Sequence, residues 1–202
     1  NNKDLIGFVG ATWTLAVYML NKKSPKKNIK NIYEYPNIDK LLKKIIHTQK
    51  LHIKSQIDNG ATLIQIFDSW SGLVDKNKIN KFIYNPTAEL VEFTKAQGVE
   101  VICFPRCISS YKEYCYEVKP DAISIDYEVD PIKIAKNINI PIQGGMDPKY
   151  LLLERNNMLK NAHKYLEIFK NHKYIFNLGH GIVPETNPDN LKALVDYVKE
   201  FK

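Results

Sequence analysis

The chain has 202 residues, 44% of them apolar, so it can bury a hydrophobic core, and we expect one domain over residues 1–202. The formal net charge is +7, but the densest basic run, residues 21–31, is typical of a solvated connection between helices, so nucleic-acid binding is not expected. No apolar run reaches the roughly eighteen residues of a membrane span, and the first residues lack the apolar core of a signal peptide. The three cysteines lack Cys-x-x-Cys spacing, which favours a reduced, cytoplasmic protein without disulfides or a metal site.

Six short apolar segments bounded by turn residues are predicted as β-strands, at residues 5–9, 62–67, 100–104, 122–126, 138–143 and 174–178. Their continuous apolar character is typical of parallel strands that are covered on both faces. Helical patterns lie between and after them, at residues 13–20, 38–58, 87–97, 109–117, 130–136, 148–169 and 188–201. This alternation predicts an α/β fold with six βα units.

Polar residues or glycines follow the C-terminal end of each predicted strand, which is where a (β/α)₈ barrel builds its active site. An open Rossmann-type sheet is the alternative, but the sequence GFVGATWT after the first strand does not match its glycine fingerprint. A barrel needs eight units in about 250 residues, and six are recognisable. The sequence therefore predicts a partial (β/α)₈ barrel that lacks two N-terminal units, with its first strand left as an exposed edge prone to association.

One candidate site residue is His180, which lies between two glycines in the turn after the last strand. It is either a hydrogen-bonding histidine at the barrel mouth or a loop histidine that caps the next helix. The sequence TNPDN supplies another cap, with Asn187 at the N-cap and Pro188 at the first helical position.

Two further candidates follow the first and second strands. Thr12 is predicted as the N-cap of the first helix, which carries Tyr18 either as a ligand contact or as a packing residue. Ser69 follows Asp68 at the end of the second strand and is predicted either to donate to a substrate carboxylate or to cap a helix. No Gly-x-Ser-x-Gly elbow is present, so a serine nucleophile is not predicted.

Charged residues follow two more strands. Asp126 closes the fourth strand and is suited either to acid-base chemistry or to binding a metal, whereas Asp147 before Pro148 is predicted as a helix cap. Arg106 follows the third strand and is predicted either to bind an anion or to pair with a neighbouring acid.

Five segments together resemble the uroporphyrinogen decarboxylase family in order and spacing: GFVGATWTLAVYML, QIFDSWSG, SIDY, IQGGMDP and FNLGHGIVPETNPDNLKALVDYV. The resemblance covers essentially the whole chain, and it implies a (β/α)₈ barrel whose strands three to eight correspond to the six predicted here. It also implies removal of the four acetate carboxyl groups of uroporphyrinogen III to give coproporphyrinogen III, without a metal or an organic cofactor. The complete enzyme of this family is a homodimer.

The resemblance places the substrate-contacting tyrosine of the family on Tyr18, its serine or threonine on Ser69, and its histidine on His180. The arginines and the aspartate that hold the substrate in the family belong to its first two βα units, so the resemblance assigns no catalytic residue in this chain. Thr12 and Gly145 stand where the family usually has proline and asparagine.

Two other hypotheses stay open. One is a corrinoid or thiol methyltransferase of the same barrel superfamily, although no cysteine follows His180 to bind zinc as in those enzymes. The other is a non-catalytic remnant that folds only with a partner chain.

Overall fold

The computed structural model describes residues 3–22 and 30–201. The chain divides into two compact units, Asn1–Asp121 and Ala122–Lys202, and each is described by itself. Most of the basic run, residues 23–29, lies outside the described residues, so its interpretation as a solvated connection stays a prediction. The prediction of one domain also stays a prediction.

The first unit contains three parallel strands and the helices that follow them. Strand β2 pairs with β1 on one side and with β3 on the other, both in parallel. Short 3₁₀ and π turns over residues 71–84 connect β2 to the helix α4. The bounds are β1 Ile6–Gly10, α1 Thr12–Asn21, α2 Lys30–Tyr33, α3 Ile38–Asp58, β2 Leu63–Asp68, α4 Asn85–Ala96, β3 Glu100–Pro105 and α5 Tyr111–Val118.

The second unit repeats this alternation with shorter strands. Strand β5 pairs in parallel with β4 and with β6, and an isolated bridge joins Met146 to Leu178. Its core contains five buried side chains, Met146, Leu151, Met158, Ala162 and Leu194. The bounds are β4 Ala122–Ile125, α6 Pro131–Asn137, β5 Ile142–Gly144, a 3₁₀ turn at Pro148–Leu152, α7 Arg155–Phe169, β6 Tyr174–Ile175 and α8 Pro188–Glu200.

The predicted helix over residues 148–169 is in fact two elements. Asp147 caps the 3₁₀ turn, as predicted, by accepting a hydrogen bond of 2.9 Å from Lys149 N–H. The chain is extended at Leu153 and Glu154 before α7 begins. Asn190 of α8 donates to the carbonyl oxygens of Leu151 and Leu153 at 2.9 and 3.1 Å, which gives these groups a partner outside a continuous helix.

The predicted N-cap of α1 was also wrong. Ala11 occupies that position, and Thr12 lies in the first turn, fully buried. Its hydroxyl donates to Gln49 Oε1 of α3 at 2.8 Å instead of capping a main-chain group. The Thr12 hydroxyl, which the local sequence pattern assigns to capping, is therefore used for a buried contact between α1 and α3.

The outer edge of β1 is hydrogen-bonded rather than open. Ala11 N–H donates to Phe67 O, so the main-chain N–H and C=O groups of the odd-numbered residues of β1 face β2. Those of the even-numbered residues face away from β2. Gln56 of α3 bonds both polar groups of Phe8: its Oε1 accepts from the N–H at 2.8 Å and its Nε2 donates to the carbonyl at 3.1 Å. Gln49, two helical turns earlier, donates to Gly10 O at 2.6 Å.

Gly7 makes this contact possible, because a Cβ atom there would lie 2.7 Å from Gln56 Oε1. The first strand was predicted as an exposed edge prone to association, and the structure adds that its main chain is bonded to α3 at Phe8 and Gly10. Apolar side chains remain exposed on the strand, with Phe8 63% and Ile6 48% exposed. The two glutamines thus satisfy the main chain of a strand whose side chains remain suited to association.

We expect Gln56→Ala to make the chain self-associate, because it leaves the N–H and carbonyl of Phe8 open to another strand. The free energy of unfolding should fall by about 1–2 kcal/mol, as expected for the loss of two hydrogen bonds. Sedimentation velocity over a range of concentrations measures the association and urea denaturation measures the stability. Gln97→Ala, at an exposed position, is the control. A Gln56→Ala variant with the same state of association as its parent would contradict this role.

Candidate active site

The loops that follow β2 and β3 are joined by main-chain hydrogen bonds. Arg106 N–H donates to Asp68 O at 3.0 Å, and Gly72 N–H donates to Arg106 O at 3.0 Å. Ser71 Oγ lies 3.1 Å from Asp68 O and 2.8 Å from Arg106 O. The C-terminal ends of two parallel strands are thereby held together, with Ser69 and Arg106 both half-buried beside them.

Helix α1 brings Tyr18 to the same region. Its ring packs edge-on against Trp70, with ring centroids 6.1 Å apart, while 41% of the residue remains exposed. Simple core packing therefore does not describe Tyr18. Ser69 does not cap the following 3₁₀ turn, whose N-cap is Trp70. The first unit thus groups Tyr18, Ser69 and Arg106 around the end of β2.

Asp68 lies at the centre of this group and is 1% exposed. Thr14 Oγ donates to its Oδ1 at 2.7 Å, and the Trp70 main-chain N–H also acts on the carboxyl group. Its Oδ2 is buried without a hydrogen-bond partner among residues 3–22 and 30–201. Burial raises the pKa of Asp68 from its ordinary value of 3.8 to about 7, although the bonds from Thr14 and Trp70 oppose this shift.

In the second unit the residue that precedes His180 packs against the main chain of Asp126. Asp126 follows β4, is fully buried, and accepts a hydrogen bond of 2.8 Å from Glu128 N–H. Gly179 packs against the main chain of Asp126 and Tyr127 so closely that a Cβ atom there would overlap Tyr127 N. His180, the next residue, is exposed.

The cap of α8 is Asn187, as predicted, because its Oδ1 accepts from Asp189 N–H at 2.9 Å. The alternative in which His180 caps this helix is therefore not what the structure shows. Gln143, which also follows a strand, is buried and donates to Ser124 Oγ at 3.3 Å. The side-chain amide of Gln143 therefore has a hydrogen-bond partner inside the second unit.

Within the described residues, no three His, Cys, Asp or Glu side chains come close enough to hold a metal ion. Burial raises the pKa of Cys103 and of Cys115 to about 12, whereas Cys107 is exposed next to Arg106. Helices that are both long and apolar enough to span a bilayer are likewise not found in the described part of the chain.

Thr14 and Trp70 were missed by the sequence analysis. Both look like ordinary packing residues in the sequence, and Thr14 is 54 residues away from the carboxylate that it contacts. The one available signal was the spacing of Thr14 and Tyr18, four residues apart and so on one face of α1.

Comparison with solved structures gives the class of fold. The structure matches a methyltransferase from Methanosarcina mazei with a TM-score of 0.74 and 18% sequence identity, over 100% of this chain and 60% of that chain. It also matches a B12-independent methionine synthase from Shewanella sp. W3-18-1 with a TM-score of 0.63 and 14% identity, over 99% of this chain and 63% of that chain. These similarities concern the fold alone, and they confirm the predicted α/β class with a partial (β/α)₈ barrel.

Comparison of sequences gives the family. The profile of the family named uroporphyrinogen decarboxylase (URO-D) matches residues 1–201, and the chain belongs to that family. Uroporphyrinogen decarboxylases from Wolbachia pipientis wMel and from Rickettsia bellii (strain RML369-C) are 37% and 36% identical to it over 98% of the chain. The chain spans 60% and 61% of the length of these two relatives.

Proposed function

We propose that the chain takes part in the decarboxylation of uroporphyrinogen III to coproporphyrinogen III, in which the four acetate side chains become methyl groups. The observation that carries the proposal is the family match over residues 1–201. The positions of Tyr18, Ser69 and His180 support it, since each lies beyond the C-terminal end of a strand or in the helix that follows, where barrel enzymes bind substrates.

The chemistry we propose needs no metal and no organic cofactor. Protonation of a pyrrole carbon places positive charge next to the acetate, the bond to the carboxylate carbon then breaks, and its electron pair neutralises the ring as carbon dioxide leaves. The resulting methylene carbon takes up a proton and becomes a methyl group, and the ring carbon releases the proton that it gained in the first step, which restores the neutral pyrrole. The protein has to orient a large polyanion and stabilise a cationic intermediate.

We assign substrate contacts to three side chains. The hydroxyl groups of Tyr18 and Ser69 and the ring of His180 are suited to hydrogen bonds with carboxylates. Arg106 adds a positive charge beside Ser69, and the net charge of +7 favours an anionic substrate. Asp126 is a further candidate, with one carboxylate oxygen already bonded to Glu128 N–H. These assignments rest on the resemblance and on the location of the residues.

The test is an anaerobic assay with uroporphyrinogen III of the chain completed by the first two βα units of a relative, such as the one from Wolbachia pipientis wMel, followed by chromatography of the oxidised products. Stepwise loss of carboxyl groups is expected, and Tyr18→Phe and His180→Ala should each lower kcat/KM by about tenfold or more, since each removes a substrate contact. Tyr116→Phe and His47→Ala, at exposed positions, are matched controls. Unchanged decarboxylation in both test variants would refute the site assignment.

Two alternatives are separated by other measurements. Zinc bound in stoichiometric amounts to the purified chain would favour the methyltransferase hypothesis. The similarity of fold to a methyltransferase does not support that hypothesis, because a shared fold does not indicate a shared reaction. A chain that is neither compact by size-exclusion chromatography nor cooperative in thermal melting would favour a remnant that needs a partner chain. We further propose a cytoplasmic homodimer, on the basis of the family resemblance.

A further inference from the structure

We propose that Asp68 is a positioning residue, which through its hydrogen bond with Thr14 fixes Tyr18 and Ser69 relative to each other. The inference rests on the proposed function, because it concerns the placement of two proposed substrate contacts. It assigns a role to two buried residues that themselves stay out of reach of a ligand.

The first step of the argument is the pairing of two contacts along α1. Thr14 and Tyr18 lie one helical turn apart, and both contact the segment that leaves β2: Thr14 Oγ bonds Asp68 Oδ1 at 2.7 Å, and Tyr18 packs on Trp70. Two contacts one turn apart determine both the rotation of the helix and its position along the loop. The hydroxyl of Tyr18 is thereby held at a set distance from residue 69.

The second step concerns Ser69 itself. The carboxyl group of Asp68 interacts with the N–H of Trp70, two residues ahead, in the pattern by which aspartate side chains close turns. The carbonyl oxygen of Asp68 accepts from Arg106 N–H. Ser69 therefore lies inside a turn that is anchored through Asp68 to both α1 and the end of β3.

The third step is energetic. Asp68 is 1% and Thr14 4% exposed, and Asp68 Oδ2 has no bond partner in the described residues. A buried carboxyl group with one unsatisfied oxygen destabilises a fold compared with an apolar side chain of similar volume. Its presence beside Ser69 is explained if the group serves the site and not stability, and its burial means that it acts through its neighbours.

The test compares two buried threonines. Thr14→Val removes the bond to Asp68, whereas Thr94→Val removes a bond of 2.8 Å to Leu90 O inside α4. Both residues are buried, but Thr14→Val leaves a buried carboxylate oxygen without its donor and should lose more stability than Thr94→Val, so binding is measured where urea denaturation shows both variants to be folded. Affinity for uroporphyrin III, the oxidised aromatic form of the substrate, is measured by quenching of its fluorescence. We expect Thr14→Val to bind about tenfold more weakly, Thr94→Val to bind within twofold of the parent, and Thr14→Ser to restore binding.

A second readout is independent of the ligand. In protein labelled with 5-fluorotryptophan, the ¹⁹F resonance of Trp70, assigned with Trp70→Phe, should shift in Thr14→Val and stay in place in Thr94→Val. If Tyr18→Phe and Ser69→Ala weaken binding while Thr14→Val does not, the positioning role is refuted and the proposed function stands. An unmodified chain that does not bind uroporphyrin III would refute both.

Discussion

Gly179→Ala is expected to lower the free energy of unfolding of the chain by about 3 kcal/mol, at the upper end of what overpacking costs. The added methyl group would overlap Tyr127 N and lie 2.8 Å from Asp126 C and 2.9 Å from Tyr127 Cα. These are main-chain atoms beside the fully buried Asp126, so they cannot rotate away as a flexible side chain would. The contact should be relieved only by moving the segment that carries His180.

The second glycine of the Gly-His-Gly sequence supplies the control. A Cβ atom at Gly181 meets no atom within 4 Å, and its φ angle is not in the left-handed region. Gly181→Ala should therefore leave stability within about 0.5 kcal/mol of the parent, or raise it slightly by restricting the unfolded chain. Urea denaturation of the two variants makes the comparison. Equal stabilities would show that the close approach of Gly179 to the main chain is not a constraint.

Asp68→Asn should remove a fall in stability that the parent chain shows between about pH 4 and pH 7. The pKa of Asp68 is raised from 3.8 to about 7 in the folded state, so in this window the folded chain binds more protons than the unfolded chain. Stability then decreases as the pH rises, because folding above pH 7 requires a buried charge. A rise of this size corresponds to at most about 4 kcal/mol, at about 1.4 kcal/mol for each pH unit.

The measurement is the free energy of unfolding in urea at several pH values from 5 to 8.5. Asparagine keeps an oxygen that can accept from Thr14 and carries no charge, so the variant should be more stable than the parent above pH 7 by about 2–4 kcal/mol. Asp196→Asn, which makes the same substitution at an exposed position, is the matched control. If the free energy of unfolding changes with pH in the same way in the parent and in Asp68→Asn, then ionisation of Asp68 does not destabilise the folded chain.

The elements with a strong local signal were predicted well. Helix α3 lies at Ile38–Asp58, as its long amphipathic pattern predicted, and α8 begins at Pro188 after the Asn187 cap. The strands were located within a few residues, although β6 is only Tyr174–Ile175. The break before α7 was missed because Asn190, which bonds the carbonyl oxygens at the break, lies more than thirty positions away in the sequence.

The candidate site was only partly predictable, for the same physical reason. The ends of parallel strands lie at a common edge, which is why Ser69 and Arg106 could be expected near each other. The resemblance to a known family selected Tyr18 and His180 from residues whose local pattern allowed other interpretations. The link between Thr14 and Asp68 had no local signal, because a hydrogen bond between distant segments leaves no periodicity in the sequence.

The glutamine contacts at the outer edge of β1 have a consequence for how the sheet can grow. A carboxamide side chain presents one donor and one acceptor in nearly the same arrangement as a peptide group, so Gln56 occupies the place of one residue of a neighbouring strand. Replacing it by a peptide group leaves the number of hydrogen bonds at Phe8 unchanged. Strand addition at this edge therefore gains no hydrogen bond at Phe8 and has to displace Gln56 first, so the carboxamide competes with an incoming strand for the same two groups.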